Sequence, residues 1–143
     1  MSGGTGANFA DALMKLVFWG TNIANVADNA ASSPLTQLYV ALHTADPSGG
    51  DQTTSEAAYT GYARVAVART SGGWAISGRV VSPVSDVTFP TATGGSETET
   101  YASVGVAASG ASQIMFSGPL SPTISVTTGT TPKVTSSSTI TEN

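Results

Sequence analysis

The sequence predicts a mainly β protein: an antiparallel β-sandwich of jelly-roll type with one short N-terminal amphipathic helix. Three observations predict it. From about residue 37 onward, short runs rich in Val, Ile, Thr, Tyr and Phe alternate with Gly, Pro and Ser punctuation, giving about eight short strands. One stretch near the start carries apolar residues at helical spacing. At 143 residues the chain can build one proper core but is short for two. The expected organisation is an N-terminal arm and helix over residues 1–34 and a sandwich over residues 35–143, within a single compact domain.

Residues 1–7 are small and uncharged, with nothing to bury. Asn8 reads as an N-cap and Asp11 as a first-turn acid, with Phe9, Leu13, Leu16 and Val17 on one face and Gly20 as the stop, so a helix is expected over about 8–19. Residues 20–37 support either a second weak helical turn or an irregular loop, ended by Pro34.

LYVALHTADP, residues 38–47, is the organising stretch. Leu38, Val40, Leu42 and Thr44 alternate with Tyr39, Ala41 and His43, and both sets are largely apolar or amphipathic. That composition suits a strand covered on both faces, running into a loop at Asp46 and Pro47. The loop over residues 47–61 is long for a hairpin, and such loops are commonly contact sites. Tyr62–Thr70 alternates cleanly, with Ala63, Val65 and Val67 on one face, and Gly72 and Gly73 turn the chain into Trp74–Ser77. Further strands are expected at Val80–Val81, Asp86–Phe89, Glu97–Ala107, Ser112–Ser117, Thr123–Thr127 and Lys133–Thr141.

Charged residues make up 10% of the chain, and the net charge is −4. A surface solvated by hydroxyls and backbone is poorly protected against association, which points toward assembly. The five basic residues are scattered singly, without the cluster that displaces counterions from phosphates, so no nucleic-acid partner is expected. The chain has no cysteine, hence neither disulfide nor thiolate metal site. Ala12–Trp19 is interrupted by Lys15 and is too short for a membrane span, and no basic region precedes it. No membrane partner is expected, and synthesis and folding are expected in a cytoplasm.

No catalytic, metal or cofactor-binding residues are expected. His43 is the one histidine, so a Ser-His-Asp arrangement would have to use it, yet no GxSxG elbow is present; it reads as an amphipathic residue ending a strand. Asp46, Asp51 and Glu56 share a loop but lack the spacing that converges on calcium. Glu97 and Glu99 share one strand face and read as a charged edge that blocks unwanted pairing. The dispersed aromatics read as core and subunit contacts, with Trp19 the best exposed anchor. The candidate interface is the helix, through Phe9, Leu13, Val17 and Trp19, together with the 47–61 loop and its surroundings, through Asp51, Glu56, Tyr59 and Tyr62.

The ordered set VFWG, LYVALHTADP, a Thr- and Glu-bearing loop, YTGYARVAV and DVTFP resembles a family of small virion proteins of tailed bacteriophages, over most of residues 8–126. Its members are all-β proteins called head decoration (cement) proteins or tail fibre proteins, and the resemblance implies no catalytic residue. It implies a structural virion protein and fixes the particle better than the place on it; the first reading, which an acidic, hydroxyl-rich surface fits, is a decoration protein on the outer surface of the capsid, made in the host cytoplasm. Such a protein would bind the major capsid protein and itself as a dimer or trimer. The alternative it leaves is a tail fibre or tail-tip module that binds a host receptor. The sequence departs from the family by extra residues between Gly20 and Pro34.

Overall fold

A computed structural model describes residues 7–23 and 34–142. The loose start expected over residues 1–6, and the helical turn or loop expected between residues 24 and 33, lie outside the described residues. The chain is mainly β with one short helix, and all strand pairing is antiparallel, as expected. The helix is α1 (Ala7–Trp19). The strands are β1 (Gln37–His43), β2 (Val65–Ala68), β3 (Trp74–Ser77), β4 (Val80–Pro83), β5 (Val87–Thr88), β6 (Glu97–Gly105), β7 (Ile114–Val126), β8 (Lys133–Val134) and β9 (Ile140–Thr141). They form a four-stranded sheet in the order β2-β1-β6-β7, a three-stranded sheet β3-β4-β9 and the pair β5-β8. One core joins them: Val40, Leu42 and Val104 of the large sheet meet Trp74, Val81, Val87 and Val134 of the small ones.

β1 lies between β2 and β6, and five of its seven residues are buried. The expectation of a strand covered on both faces follows directly from that position. The opposite pairs Ala41–Ser103 and His43–Tyr101 share one side of the sheet, and Val40–Val104 and Leu42–Ala102 share the other. The 47–64 segment folds back over the first side, where Gln52 is fully buried. A Cβ on Gly105 would run into the Gln52 side chain, so this close approach requires glycine at position 105.

Helix α1 docks differently from its sequence pattern. Asn8 lies within the helix, not at its cap. The buried stripe is Ala10, Met14 and Phe18, spaced i, i+4, i+8, while Phe9 is 46% exposed and Leu13, Leu16 and Val17 are half-buried. The helix is apolar nearly all round, so periodicity could not choose between stripes; the edge-to-face contact of Phe18 with Trp74, centroids 4.6 Å apart, selects one. Gly20 ends the helix at φ +69°, and the Arg69 guanidinium caps it, donating to the carbonyls of Leu16 and Val17 at 2.6 Å each.

Strands expected separately over Ser112–Ser117 and Thr123–Thr127 are one strand, β7, which runs through Pro119 and Pro122. It is an edge strand, where a missing N–H is tolerated. The stretch expected as a single strand over Lys133–Thr141 is instead two short strands, β8 and β9, in different sheets.

Candidate interaction surfaces

The candidate interface residues fall into two groups. On α1, Phe9 projects from the outer side and Leu13 and Val17 flank it half-buried. Trp19, expected as an exposed anchor, is turned inward: its indole N–H donates to the Trp74 carbonyl at 3.0 Å, and Lys15 Nζ lies 5.6 Å from its ring centroid.

The residues near the 47–61 loop are bonded within the chain. Glu56 holds Arg64 through Nε–Oε1 at 2.6 Å and Nη2–Oε2 at 2.8 Å. Tyr62 donates its hydroxyl to Glu56 Oε1 at 3.0 Å and accepts the Leu42 N–H at 3.2 Å, satisfying a β1 amide beyond the end of β2. Burial pushes the Tyr62 phenol far above its ordinary value, so it stays a neutral donor. Tyr59 is 3% exposed and donates to the Pro90 carbonyl at 2.9 Å; burial first, and the Glu99 and Glu97 carboxyls next, push it up to about 12. Asp51 accepts the Thr53 N–H and hydroxyl, closing a local turn.

Arg64 also donates to the carbonyls of Ala107 and Gly110, at 2.9 and 3.0 Å. Gln52 exchanges two bonds with the Ala107 backbone, at 3.0 and 3.3 Å, and donates its own N–H to Ser112 O. The loop after β6 is therefore bound to the 47–64 segment by buried side chains, a rigid pairing that the sequence does not announce.

His43 is fully buried. Its Nδ1 lies 2.9 Å from the Thr54 carbonyl, which can only accept, so Nδ1 carries the proton and Nε2 accepts from the Ser103 hydroxyl at 2.8 Å. Burial lowers the imidazole pKa, which favours this neutral form. Ser103 is 2% exposed and Asp46 is engaged with the Ser48 N–H, so this Ser–His contact lacks both an exposed hydroxyl and the orienting carboxylate of a triad. It agrees with the reading of His43 as a strand-end residue.

The charged-edge reading of Glu97 and Glu99 is overturned. β1 pairs β6 only over Tyr101–Gly105 and β7 alone pairs the stretch with the two glutamates, yet Glu99 is fully buried and Glu97 is half-buried. Glu97 and Glu99 stand opposite Val126 and Ile124 and, two residues apart, share one face of β6; a register irregularity follows them, between Glu99 and Tyr101. Glu97 Oε1 accepts the N–H groups of Ala58 and Tyr59 at 2.8 and 2.9 Å. Neither Glu99 oxygen meets a fixed donor, and burial together with the neighbouring Glu97 carboxyl pushes Glu99 up to about 8. Glu99 is thus protonated at neutral pH. Among the described residues no three acidic or histidine side chains gather as a metal site.

Between the large sheet and the small ones lies an open cleft of about 580 Å³, walled by Trp74, Phe116, Leu120, Ile124, Val134 and Ile140, with Lys133 also lining it. The indole N–H of Trp74 is buried and has no acceptor. The cleft walls are mainly apolar.

A family model described as podophage GP4 fiber I protein gp80 matches residues 17–141. No curated protein matches the chain.

Proposed function

From the premise that the chain belongs to the family of podophage GP4 fiber I proteins, and is a bacteriophage structural protein, we propose that it builds part of a virion fibre. The observation that carries this reading is a family match extending over 125 residues, from Val17 to Thr141, which takes in every strand. The physical character of the chain supports it. A load-carrying subunit needs rigidity, and here buried polar side chains tie loops to the sheet: Arg64 to the 107–110 backbone, Gln52 to Ala107, Glu97 to residues 58 and 59, and Arg69 to the end of α1. Low charge and exposed apolar groups favour lasting contacts between subunits over solubility as a monomer.

The capsid-decoration reading, with the major capsid protein as partner, rests on the sequence resemblance alone. Immunogold labelling of purified virions, with copy number measured by mass spectrometry against the shell protein, separates the two. Labelling confined to fibres or tail, at far fewer copies than the shell protein, is the expected result. Labelling spread over the head at near-shell copy number would restore the decoration reading, and absence from the particle would defeat both.

A further inference from the structure

We propose that Glu97 and Glu99 form a one-proton latch: while the buried Glu99 carboxyl holds its proton, the Glu97 carboxylate grips the backbone of residues 58 and 59, and loss of that proton frees these two residues from β6 while the rest of the fold stays closed. The inference stands apart from the fibre reading, since it rests on a buried side-chain pair and not on any partner.

The two carboxyls differ in what they meet. Glu97 Oε1 accepts the N–H groups of Ala58 and Tyr59 at 2.8 and 2.9 Å, bonds that favour its ionised form. Glu99 has no exposed surface and neither of its oxygens meets a fixed donor, so nothing there compensates a negative charge. The side chains share one face of β6, and the Glu97 carboxyl lies within hydrogen-bond reach of Glu99. A proton on Glu99 therefore finds its acceptor in Glu97, whereas two ionised carboxyls in contact away from water repel. The other elements bring no compensating charge. β7 sets Ile124 and Val126 opposite the pair and contains no titratable residue. From the 47–64 segment the facing titratable group is the Tyr59 phenol, neutral and itself pushed up by burial, then by Glu99 and Glu97. β1 pairs β6 only as far as Tyr101, and its His43 is committed to Thr54 and Ser103.

Backbone bonds on either side confine the release. The Ala57 N–H donates to the Leu42 carbonyl at 2.9 Å. Thr60 donates to the Gly94 carbonyl at 3.0 Å and accepts the Thr93 N–H at 2.9 Å, so residues 58 and 59 lie between two fixed points. Ala58 and Thr60 are exposed, and the latch thereby governs the shape of a surface loop. The direction follows from burial, which moves Glu99 from its ordinary 4.5 to about 8. Between those values the closed latch keeps a proton that an opened, hydrated Glu99 gives up. Opening therefore becomes about tenfold easier per pH unit across that window and levels off above it.

Native-state hydrogen exchange on the full-length chain tests this, read by NMR across the pH window in low and rising urea, with protection corrected for the intrinsic pH dependence of exchange. Protection at the Ala58 and Tyr59 amides should fall about tenfold per pH unit until Glu99 is ionised in the closed form. It should also be insensitive to low urea, the mark of a local opening, while the amides of β1 keep a higher protection that declines with urea. Glu99→Gln leaves a neutral donor beside Glu97 and should make protection at the two amides independent of pH. If that variant fails to fold, the carboxyl carbon resonance of wild-type Glu99 replaces it, and its titration should coincide with a change at both amides. Protection at residues 58 and 59 that falls with urea in step with β1 would mean that only global unfolding frees them, and would overturn the latch. So would protection that ignores pH, a slope that survives Glu99→Gln, or a Glu99 that titrates without any change at the two amides.

Discussion

Arg64 grips Glu56 through two parallel hydrogen bonds of 2.6 and 2.8 Å, with only 2% of the arginine side chain exposed. The fork matches the carboxylate plane, and two of the three remaining guanidinium N–H groups are met by the Ala107 and Gly110 carbonyls, so the pair is held in a largely enclosed network. Removing one partner leaves the other charge stranded. Arg64→Met is expected to cost about 3–5 kcal/mol in urea unfolding, and the double variant Arg64→Met/Glu56→Leu to recover part of that loss.

The Glu99 carboxyl sets a pH dependence of definite sign. Its ordinary value is 4.5 and its folded value about 8. Between those values the folded chain keeps a proton that the unfolded chain has released, so Glu99 makes stability fall as pH rises from about 4.5, levelling off above about 8. Glu99→Gln is expected to abolish that decline and to raise the unfolding midpoint at pH 8. A variant as pH-sensitive as the wild type over this range would contradict the burial argument.

His43 contributes the opposite slope. Burial holds its folded value below 6.5, so the unfolded chain takes up a proton first and stability falls as pH drops below about 6.5. In the Glu99→Gln background this acid-side loss is expected to stand out between pH 4.5 and 6.5. Ser103→Ala, which removes the donor to Nε2, is expected to cost about 1–2 kcal/mol at pH 7.

The Gly72–Gly73 turn offers a matched pair of substitutions. A Cβ on Gly73 would collide with the carbonyl of Ala68, which is backbone and cannot swing aside, whereas at Gly72 the nearest atom is Thr70 Oγ1 at 3.5 Å, an ordinary contact. Gly73→Ala is expected to lower stability by about 1–3 kcal/mol and Gly72→Ala to leave it nearly unchanged, as read by thermal unfolding.

Arg69 joins the helix to the sheet by geometry as much as by charge. Its fork reaches the carbonyls of Leu16, Val17 and Leu35 at once, and a lysine ammonium cannot reproduce that spread. Arg69→Lys is therefore expected to cost about 1–2 kcal/mol in spite of the conserved charge, again by thermal unfolding.

The sequence by itself determined the elements whose signals are local. β1 was legible because a run apolar on both alternating sets is comfortable only inside a sheet, and its flanking Asp46 and Pro47 end any ladder. The turn at residues 72 and 73, the alternation of β2 and the stop at Gly20 were legible for the same reason: each depends on neighbours a few residues away. Tertiary structure alone decided what depends on distant partners. Trp74 chose which stripe of an almost uniformly apolar helix is buried, and an edge position let β7 pass through two prolines that locally read as breaks. Packing around β6 made Glu99, an apparent edge charge, a buried neutral acid, and Arg64 found its carbonyls more than 40 residues away. Burial, bulges and long-range hydrogen bonds are properties of the packed chain, and no window of sequence contains both partners.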